Sequence, residues 1–388
     1  MVFTQTPGFN SQNLFDRIKN DALQRTSSTN EKPSNLYIQE EILPSGTIIQ
    51  SQRQEIFLEQ NTVLVFADDA PGFNWSHPCH YLLYELERPS IKQVPAQLPP
   101  YLTEIPESYQ MFHEQFPIPT EETTWNVPRS PSPSQEARKG NGYAVLFSGA
   151  SNNRHLNDLE FLYRTLMDVY GYLEDNIYVL NFDGTLNYAG NPKPVSNWPG
   201  DNTPYRIKVN AAGTKSELEN VLDDLKLRLR EQDSVFIHTS NHGYHDSTES
   251  LLIAYSPPDY SASDFAAKLA TFPQFDSLNV MMEQCNSGGF NAPLVSASPA
   301  RKTSVASACE ELRPSKGGPH FDPFARDWIA AMNGSDPYGA PLSFNPDTDG
   351  NGGVTVQEAF SYASAIKDPV DTPVYDQSSP TAGDCRLG

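Results

Sequence analysis

Apolar residues follow two different patterns in the two parts of this 388-residue chain. In the first part, short apolar runs are separated by turn residues, which is typical of antiparallel strands. These runs lie at residues 36–38, 47–49, 55–58 and 62–66. The stretch from Pro95 to Pro119 is interrupted by prolines, and we expect it to be irregular. The pattern therefore predicts a β-rich N-terminal domain over residues 1–127.

After residue 142 the pattern changes to strands that alternate with helices. Apolar runs predict strands at residues 143–147, 177–180, 234–238, 278–282 and 304–308. Apolar positions at helical spacing predict one helix at about residues 158–170 and another that opens with a capping box at Thr214 and Glu217. Alternating strands and helices form parallel βαβ units. We therefore predict an α/β domain over residues 143–388, with a parallel sheet flanked by helices.

Residues 128–142 join the two predicted domains. They are rich in Pro, Ser, Gly and charged residues and offer nothing to bury, so they are predicted to form an exposed linker.

Charge and composition exclude several kinds of partner. The formal net charge of -21 repels nucleic acid and anionic membranes, so we expect neither as a partner. No run of eighteen apolar residues is present, and the first residues lack the pattern of a signal peptide. The four cysteines are widely spaced and form no CxxC pair, which favours reduced thiols. Either a leader precedes this chain or it stays inside the cell, where we expect it in the cytoplasm.

Two reactive side chains follow successive predicted strands. His242-Gly243 follows the third strand, and Glu283-Gln284-Cys285 follows the fourth. Ligands of parallel sheets bind beyond the carboxyl ends of the strands, so these residues are predicted to meet there. A thiol needs a base to become a good nucleophile, and a glycine lets backbone N–H groups approach an oxyanion. Taken singly, each residue is more often structural, but their joint occurrence predicts a Cys–His catalytic pair.

This arrangement resembles the clan of caspases, and the legumains in particular. The resemblance rests on residues 148–155, on Asn241-His242-Gly243, on Glu283-Gln284-Cys285 and on the pair Asp327-Trp328. It extends from Tyr143 to about Gly334 and does not include the N-terminal part. The resemblance implies a caspase-like fold, with a mostly parallel sheet flanked by helices, preceded here by an extra β-rich domain.

The resemblance also implies roles for individual residues. Cys285 would be the nucleophile and His242 the general base, the N–H groups of Gly243 and Cys285 would form the oxyanion hole, and Asn152 would orient the histidine. The implied pocket accepts asparagine, or aspartate at acidic pH, between Arg154, His155, Glu283 and Asp327. Such a set makes chemical sense, because an amide side chain needs both hydrogen-bond donors and acceptors. Legumains also place a serine in this pocket, and Leu312 stands near that position here.

The function expected from these residues is that of a cysteine endopeptidase, which hydrolyses peptide bonds after Asn or Asp through a thioester acyl-enzyme. Its partners would be protein or peptide substrates. Two alternatives stay open: a transpeptidase or ligase that uses the same acyl-enzyme, and a catalytically idle, calcium-stabilised binding module. We further expect the N-terminal domain to inhibit the enzyme by covering its cleft, with a processing site in the linker near Asn141.

Residues 347–358 match the calcium-loop pattern D-x-[DN]-x-[DN]-G-x5-E without a gap. The predicted ligands are Asp347, Asp349, Asn351, the Gly353 carbonyl and a bidentate Glu358, which starts a helix at residues 359–366. The pattern predicts one structural Ca²⁺ ion, and the alternative is an acidic turn without a metal.

Overall fold

The protein is described by a computed structural model that covers residues 11–28, 34–51, 54–73, 75–100, 105–115, 140–189 and 197–387. The chain forms two compact units, residues 1–119 and residues 120–388. Most of the predicted linker, residues 128–139, lies outside the described residues. Within the described ranges, no helix combines the length and apolar character that crossing a membrane requires.

The first unit is built on antiparallel strands, as its short apolar runs predict. Its elements are α1 (Ser11–Ser28), β1 (Asn35–Gln39), β2 (Ile48–Ser51), β3 (Gln54–Phe57), β4 (Thr62–Asp68), β5 (Cys79–Glu85), β6 (Ser90–Ala96) and β7 (Tyr109–His113). Five strands form one sheet in the order β6-β5-β4-β1-β7, and β2 pairs with β3. Alternate residues of β4 face opposite sides: Val63 and Val65 pack with Ile18 of α1, whereas Leu64 and Phe66 pack in a separate cluster.

The prediction of an irregular stretch from Pro95 to Pro119 was wrong in part, because residues 95–96 and 109–113 lie in strands, whereas residues 97–100 and 105–108 form neither helix nor strand. Strand β6 continues to Ala96, and β7 adds a further strand to the sheet by pairing with β1. A proline is tolerated in an edge strand, where a missing N–H leaves no ladder bond unmade, and Pro95 lies in the edge strand β6. Helix α1 was not predicted either.

The second unit contains a seven-stranded, mostly parallel sheet. The strands of this unit are β8 (Gly142–Ser148), β9 (Ile177–Asn181), β10 (Val209–Ala211), β11 (Ser234–Thr239), β12 (Gly243–His245), β13 (Ser250–Leu252), β14 (Tyr260–Ser261), β15 (Ser277–Met282), β16 (Lys302–Ser307) and β17 (Val374–Gln377). The large sheet has the order β10-β9-β8-β11-β15-β16-β17, and β17 alone in it runs antiparallel to its neighbour. Strands β12, β13 and β14 form a small sheet of their own. The predicted sheet is therefore confirmed.

Helices cover both faces of this sheet. They are α2 (Asn153–Asp168), α3 (Lys215–Arg228), α4 (Ala262–Leu269), α5 (Asn291–Ala297), α6 (Pro323–Asn333) and α7 (Val356–Ile366). Leu146 belongs to a core shared with α2, α6 and α7, and its neighbour Val145 belongs to a core shared with α3, α4 and α5. Because both faces are buried, the strands consist of continuous apolar runs. Helix α3 begins as predicted, with the Thr214 side chain accepting the Glu217 N–H.

The strand order places a crevice next to β8. From β8 the chain moves to β9 on one side, and it later returns to β11 on the other side. Doubly wound sheets bind ligands at such a reversal, outside the carboxyl ends of the strands. In this sheet that position lies between the ends of β8 and β11, next to the end of β15.

Candidate active site

The candidate nucleophile and the candidate base follow two neighbouring strands of the sheet. Thr239, the last residue of β11, is paired with Met282, the last residue of β15. His242 and Cys285 each lie three residues beyond that pair. The two residues therefore stand at the same carboxyl-terminal edge, where the topology places the crevice.

Cys285 is enclosed, with 1% of its surface exposed. The Ser315 N–H donates a hydrogen bond to Cys285 Sγ over 3.4 Å, and Ser315 Oγ lies 3.9 Å from the same sulfur. A hydrogen bond to the sulfur favours the thiolate, which is the nucleophilic form of cysteine. Ser315 was not among the residues predicted from the sequence. Leu312, the residue compared with the legumain serine, is 71% exposed.

The turn after Cys285 is held by hydrogen bonds to the same loop. Asn286 adopts a left-handed conformation with φ of 62°, which asparagine tolerates better than most residues. Its N–H donates to the Arg313 carbonyl at 2.9 Å, and its side-chain Nδ2 donates to the Glu311 carbonyl at 2.7 Å. The position of Cys285 is thus fixed by residues 311–315 as well as by β15.

Gly243 approaches the backbone beside the nucleophile closely. A Cβ atom at this position would lie 2.4 Å from the Cys285 carbonyl oxygen and 2.6 Å from Gln284 Cγ. No L-residue with a side chain fits at that distance, so the glycine is required for this contact. The close approach places the backbone of Gly243 next to Cys285, as an oxyanion hole built from the two N–H groups needs.

His242 lies against a second histidine. The rings of His242 and His155 are 4.7 Å apart between centroids and meet edge to face at 75°. Both side chains are fully buried. Burial, followed by the charges of His242 and Arg154, holds the pKa of His155 well below its ordinary value. His155 is therefore a neutral ring at physiological pH.

Asn152 caps the helix that carries two predicted pocket residues. Its Oδ1 accepts the backbone N–H of His155 at 3.1 Å, which satisfies one of the free donors at the start of α2. This cap explains why α2 begins at Asn153, five residues before the predicted start at residue 158. It also fixes the first turn of α2, from which Arg154 and His155 project.

Arg154 and His155 both contact Asp322, which was not predicted from the sequence as a site residue. Arg154 Nε lies 2.7 Å from Asp322 Oδ1, and His155 Nε2 lies 3.4 Å from Asp322 Oδ2. Asp322 is fully buried and precedes Pro323, the first residue of α6. Burial raises the pKa of Asp322 to about 6, although the Arg154 guanidinium opposes that shift. In the sequence, an Asp followed by a Pro indicates the start of a helix, and this pattern could have marked Asp322.

Glu283 is held at the start of the same helix. Its Oε2 accepts the Ala325 N–H at 2.6 Å, and its Oε1 is buried without a hydrogen-bond partner among the described residues. Burial raises the pKa of Glu283 well above its ordinary value, and the nearby carboxyl groups of Asp322, Asp371 and Asp158 raise it further. Oε1 is thus a buried oxygen that a substrate group could pair with.

Asp327 is the fourth predicted pocket residue. It lies in α6 beyond Asp322, and its side chain pairs with Arg326 at 2.8 Å. Arg154 forms an ion pair with Asp322, the neutral His155 ring lies 3.4 Å from it, and the Asp322 carboxyl group raises the pKa of Glu283. The structure therefore places Asp322 beside the predicted pocket residues Arg154 and His155.

The calcium-type loop is assembled at the start of α7. Asp347, Asp349 and Glu358 each offer a carboxylate oxygen, and these oxygens lie within 4.8 Å of one another. Glu358 also completes a capping box with Thr355, so its position is fixed by the helix. Carboxylate oxygens on a flexible loop are the ligands that Ca²⁺ prefers, so the donor set fits that ion.

Arg386 lies against two of the other predicted calcium ligands. Its Nη2 donates to Asn351 Oδ1, and a Cβ atom on Gly353 would lie 2.7 Å from its Cζ. The guanidinium therefore occupies the neighbourhood of the loop, where it would compete with a bound cation for the Asn351 oxygen.

Residues 142–317 match the model of the Peptidase C13 family. The matched class is that of cysteine-type peptidases, which agrees with a cysteine and a histidine at the strand ends. This segment is similar to the Peptidase C13 family, that is, the legumain family within the caspase clan. The segment contains Cys285 and His242 but ends before Asp322 and the calcium-type loop.

The chain was also compared with curated proteins and with solved structures. A search of curated proteins found no match to the chain. Among solved structures, the chain is similar to a Geobacter sulfurreducens protein from a structural genomics programme, with 11% sequence identity and a TM-score of 0.43. That alignment covers 64% of this chain and 98% of the other.

Proposed function

We propose that this chain is a cysteine endopeptidase that cuts after Asn or Asp, with Cys285 as nucleophile and His242 as general base. The observation that carries the proposal is the strand register, which sets both residues three positions beyond one pair of neighbouring strands. The buried polar pocket built by Arg154, Glu283 and Asp322 at the same edge supports it.

The reaction proposed for this site has two halves. His242 takes the proton of the Cys285 thiol, and the thiolate attacks the carbonyl carbon of the scissile bond. The N–H groups of Gly243 and Cys285 stabilise the resulting oxyanion. His242 then gives its proton to the leaving amine as the C–N bond breaks, which leaves a thioester. Water, deprotonated by His242, hydrolyses the thioester and restores the thiol.

Specificity for asparagine is supported by the polarity of the pocket. Arg154 supplies a donor for the amide oxygen, whereas Glu283 Oε1 supplies an acceptor for the amide nitrogen. An ionised substrate aspartate would face the Asp322 carboxylate, which repels it. Acidic pH neutralises these groups, and cleavage after aspartate should then increase relative to cleavage after asparagine.

The proposal is tested with fluorogenic peptides that end in Asn or Asp before the reporter group. We expect Cys285→Ala to abolish turnover, whereas Cys385→Ala, a cysteine remote in sequence from the site, serves as the matched control and should retain it. Full activity of Cys285→Ala would refute the assignment. Product masses separate hydrolysis from transpeptidation, because an added amine appears in the product only in the second case.

We also propose that residues 347–358 bind one structural Ca²⁺ ion. The complete ligand pattern and the convergence of Asp347, Asp349 and Glu358 support this. Calcium should raise the melting temperature of the protein, as any ligand that binds the folded state does. The double variant Asp347→Asn/Glu358→Gln should lose that shift, whereas the exposed control Asp376→Asn should keep it. An equal shift in all three proteins would exclude this loop as the site.

For the first unit we propose a regulatory role, in which it inhibits the peptidase. The support is the sequence pattern of an exposed linker between an extra domain and a peptidase domain. Asn141 is an unfavourable cleavage point, because its N–H and carbonyl are bonded to Asp233 and Ser234. A specific protease site inserted within residues 128–139 tests the role. Cutting should increase activity, and equal activity before and after cutting would contradict it.

A further inference from the structure

The loop of residues 310–316 covers the candidate nucleophile. Within it, Glu311 and Arg313 accept the hydrogen bonds of Asn286, and Ser315 donates to Cys285 Sγ. These bonds join the loop to Cys285 and to the residue that follows it. A hydrogen bond from this loop to the sulfur stabilises the thiolate.

Both ends of this loop are attached to one short segment elsewhere in the chain. At the first end, the Glu310 N–H donates to Thr372 Oγ1 at 3.1 Å. At the second end, the Lys316 N–H donates to Asp371 Oδ1 at 2.8 Å. Asp371 and Thr372 are adjacent in sequence, so one segment holds the loop at both of its ends.

The segment that contains Asp371 and Thr372 is itself held by hydrogen bonds and lies next to the large sheet. It lies between α7 and β17, and β17 is hydrogen-bonded to β16 in the large sheet. The Asp371 N–H donates to the Asp368 carbonyl at 3.0 Å, and the Asp371 carbonyl accepts a bond from Lys367 Nζ. A loop attached to such a segment is positioned more accurately than one that ends in solvent.

Asp371 is a buried carboxyl group whose hydrogen bonds are incomplete. It is 1% exposed, and its Oδ2 is buried without a hydrogen-bond partner among the described residues. It also lies near the Asp322 and Glu283 carboxyl groups, which influence one another electrostatically. Burying a carboxyl group without full hydrogen bonding costs stability. A role in holding the loop of residues 310–316 would explain why a carboxyl group is kept at this position.

We propose that Asp371 and Thr372 are positioning residues for the catalytic cysteine, which they hold in place through the loop of residues 310–316. Their two hydrogen bonds keep the Ser315 N–H directed at Cys285 Sγ and keep the turn at Asn286 in its left-handed conformation. This inference rests on the proposed function, and both residues lie beyond the segment that matches the peptidase family.

The inference is tested with pairs of variants that differ only in the hydrogen-bond acceptor. Asp371→Leu and Asp371→Asn both remove the carboxyl charge, but only asparagine keeps an oxygen for the Lys316 N–H. Thr372→Val and Thr372→Ser form the second pair, because only serine keeps the hydroxyl group. The two members of each pair carry the same charge, so a difference in activity between them reports the loss of the hydrogen bond.

Two measurements are made on each variant: kcat and KM with an Asn-ending peptide, and the pH profile of Cys285 alkylation by iodoacetamide, followed by mass spectrometry. We expect Asp371→Leu and Thr372→Val to lower kcat about tenfold or more, with a smaller change in KM, since misplacing a reacting group has effects of this size. Their alkylation midpoints should move to higher pH than those of the Asn and Ser partners, which should retain most of the wild-type kcat.

Two results would overturn the inference. One is an unchanged kcat and alkylation profile in folded Asp371→Leu and Thr372→Val. The other is an equal loss in both members of each pair. If Asp371→Leu does not fold, the Thr372 pair decides, because Thr372 is only partly buried. The alkylation profile needs no peptide cleavage. A shifted profile in a protein without peptidase activity would therefore refute the proposed function and leave the positioning role standing.

Discussion

Arg154 and Asp322 form an ion pair between the first turn of α2 and the start of α6, with Nε and Oδ1 2.7 Å apart. The pair is largely buried, since Asp322 is fully enclosed and the Arg154 side chain is 15% exposed. It fixes the guanidinium beside Asp322, where we propose that it binds the amide oxygen of the substrate. Removing one partner of such a pair leaves the other buried and uncompensated.

The first prediction compares Asp322→Ala with Asp327→Ala. The Asp322 variant should lose about 100-fold or more in kcat/KM with an Asn-ending peptide, because Arg154 and His155 lose their shared partner. The Asp327 variant should lose less, because Asp327 pairs with the neighbouring Arg326 in α6, whereas Asp322 pairs with Arg154 and is fully buried. The reverse order of losses would return the pocket role to Asp327.

The second prediction uses two glycines that both pack against backbone. Alanine at Gly243 would meet the Cys285 oxygen at 2.4 Å, and alanine at Gly140 would meet the Gln232 oxygen at 2.1 Å. Both variants should lower the melting temperature. Only Gly243→Ala should also reduce kcat of the folded protein, by about 100-fold, since it displaces an oxyanion-hole donor. Equal kcat values in the two variants would argue against that hole.

The third prediction concerns pH. Burial raises the pKa of Asp371 to about 7, whereas the unfolded chain releases this proton near pH 4. Between these values the folded protein holds the proton more tightly, so its stability falls as pH rises towards 7. Asp371→Asn removes the titration. The variant should therefore gain about 1 kcal/mol or more over wild type between pH 5 and pH 8 in urea unfolding.

The exposed position Asp376 serves as the control, because Asp376→Asn reports what the same Asp-to-Asn change does to stability at the surface. If Asp371→Asn and wild type keep a constant difference in unfolding free energy from pH 5 to pH 8, the raised pKa is contradicted.

The fourth prediction concerns the calcium-type loop. Arg386 donates to Asn351 Oδ1, so its positive charge and its hydrogen bond both oppose a second cation there. Arg386→Met should bind Ca²⁺ several-fold more tightly in titration calorimetry, and the gain should shrink at high salt. Arg301→Met, an exposed arginine that pairs with Glu231, is the matched control. Weaker binding by Arg386→Met would mean that the arginine supports the site.

The sequence predicted the parts of the site that follow strands directly. Apolar runs define β11 and β15, so the positions of His242 and Cys285 at their ends could be inferred from local patterns alone. The same holds for the sheet and for the capped start of α3. These features depend on short stretches of chain whose periodicity and capping residues are visible in the sequence.

The remaining residues of the site come from loops whose course depends on tertiary contacts. Ser315 and Asp322 follow Cys285 by 30 and 37 residues, and nothing in their local sequence indicates which strand end they reach. Asp371 lies further still, between α7 and β17. The resemblance at residues 327–328 predicted Asp327 as a pocket residue, and the helix start places Asp322 beside Arg154 as well.

The central claim is that Cys285 forms a covalent intermediate with its substrate. The most direct measurement is active-site labelling with an Asn-ending peptide that carries a thiol-reactive group at its carboxyl end, followed by mass spectrometry of the digested protein. We predict one label per chain, on the peptide that contains Cys285, and none in His242→Ala within the same time. Labelling of Cys79, Cys309 or Cys385 in place of Cys285, or no labelling at all, would contradict the account.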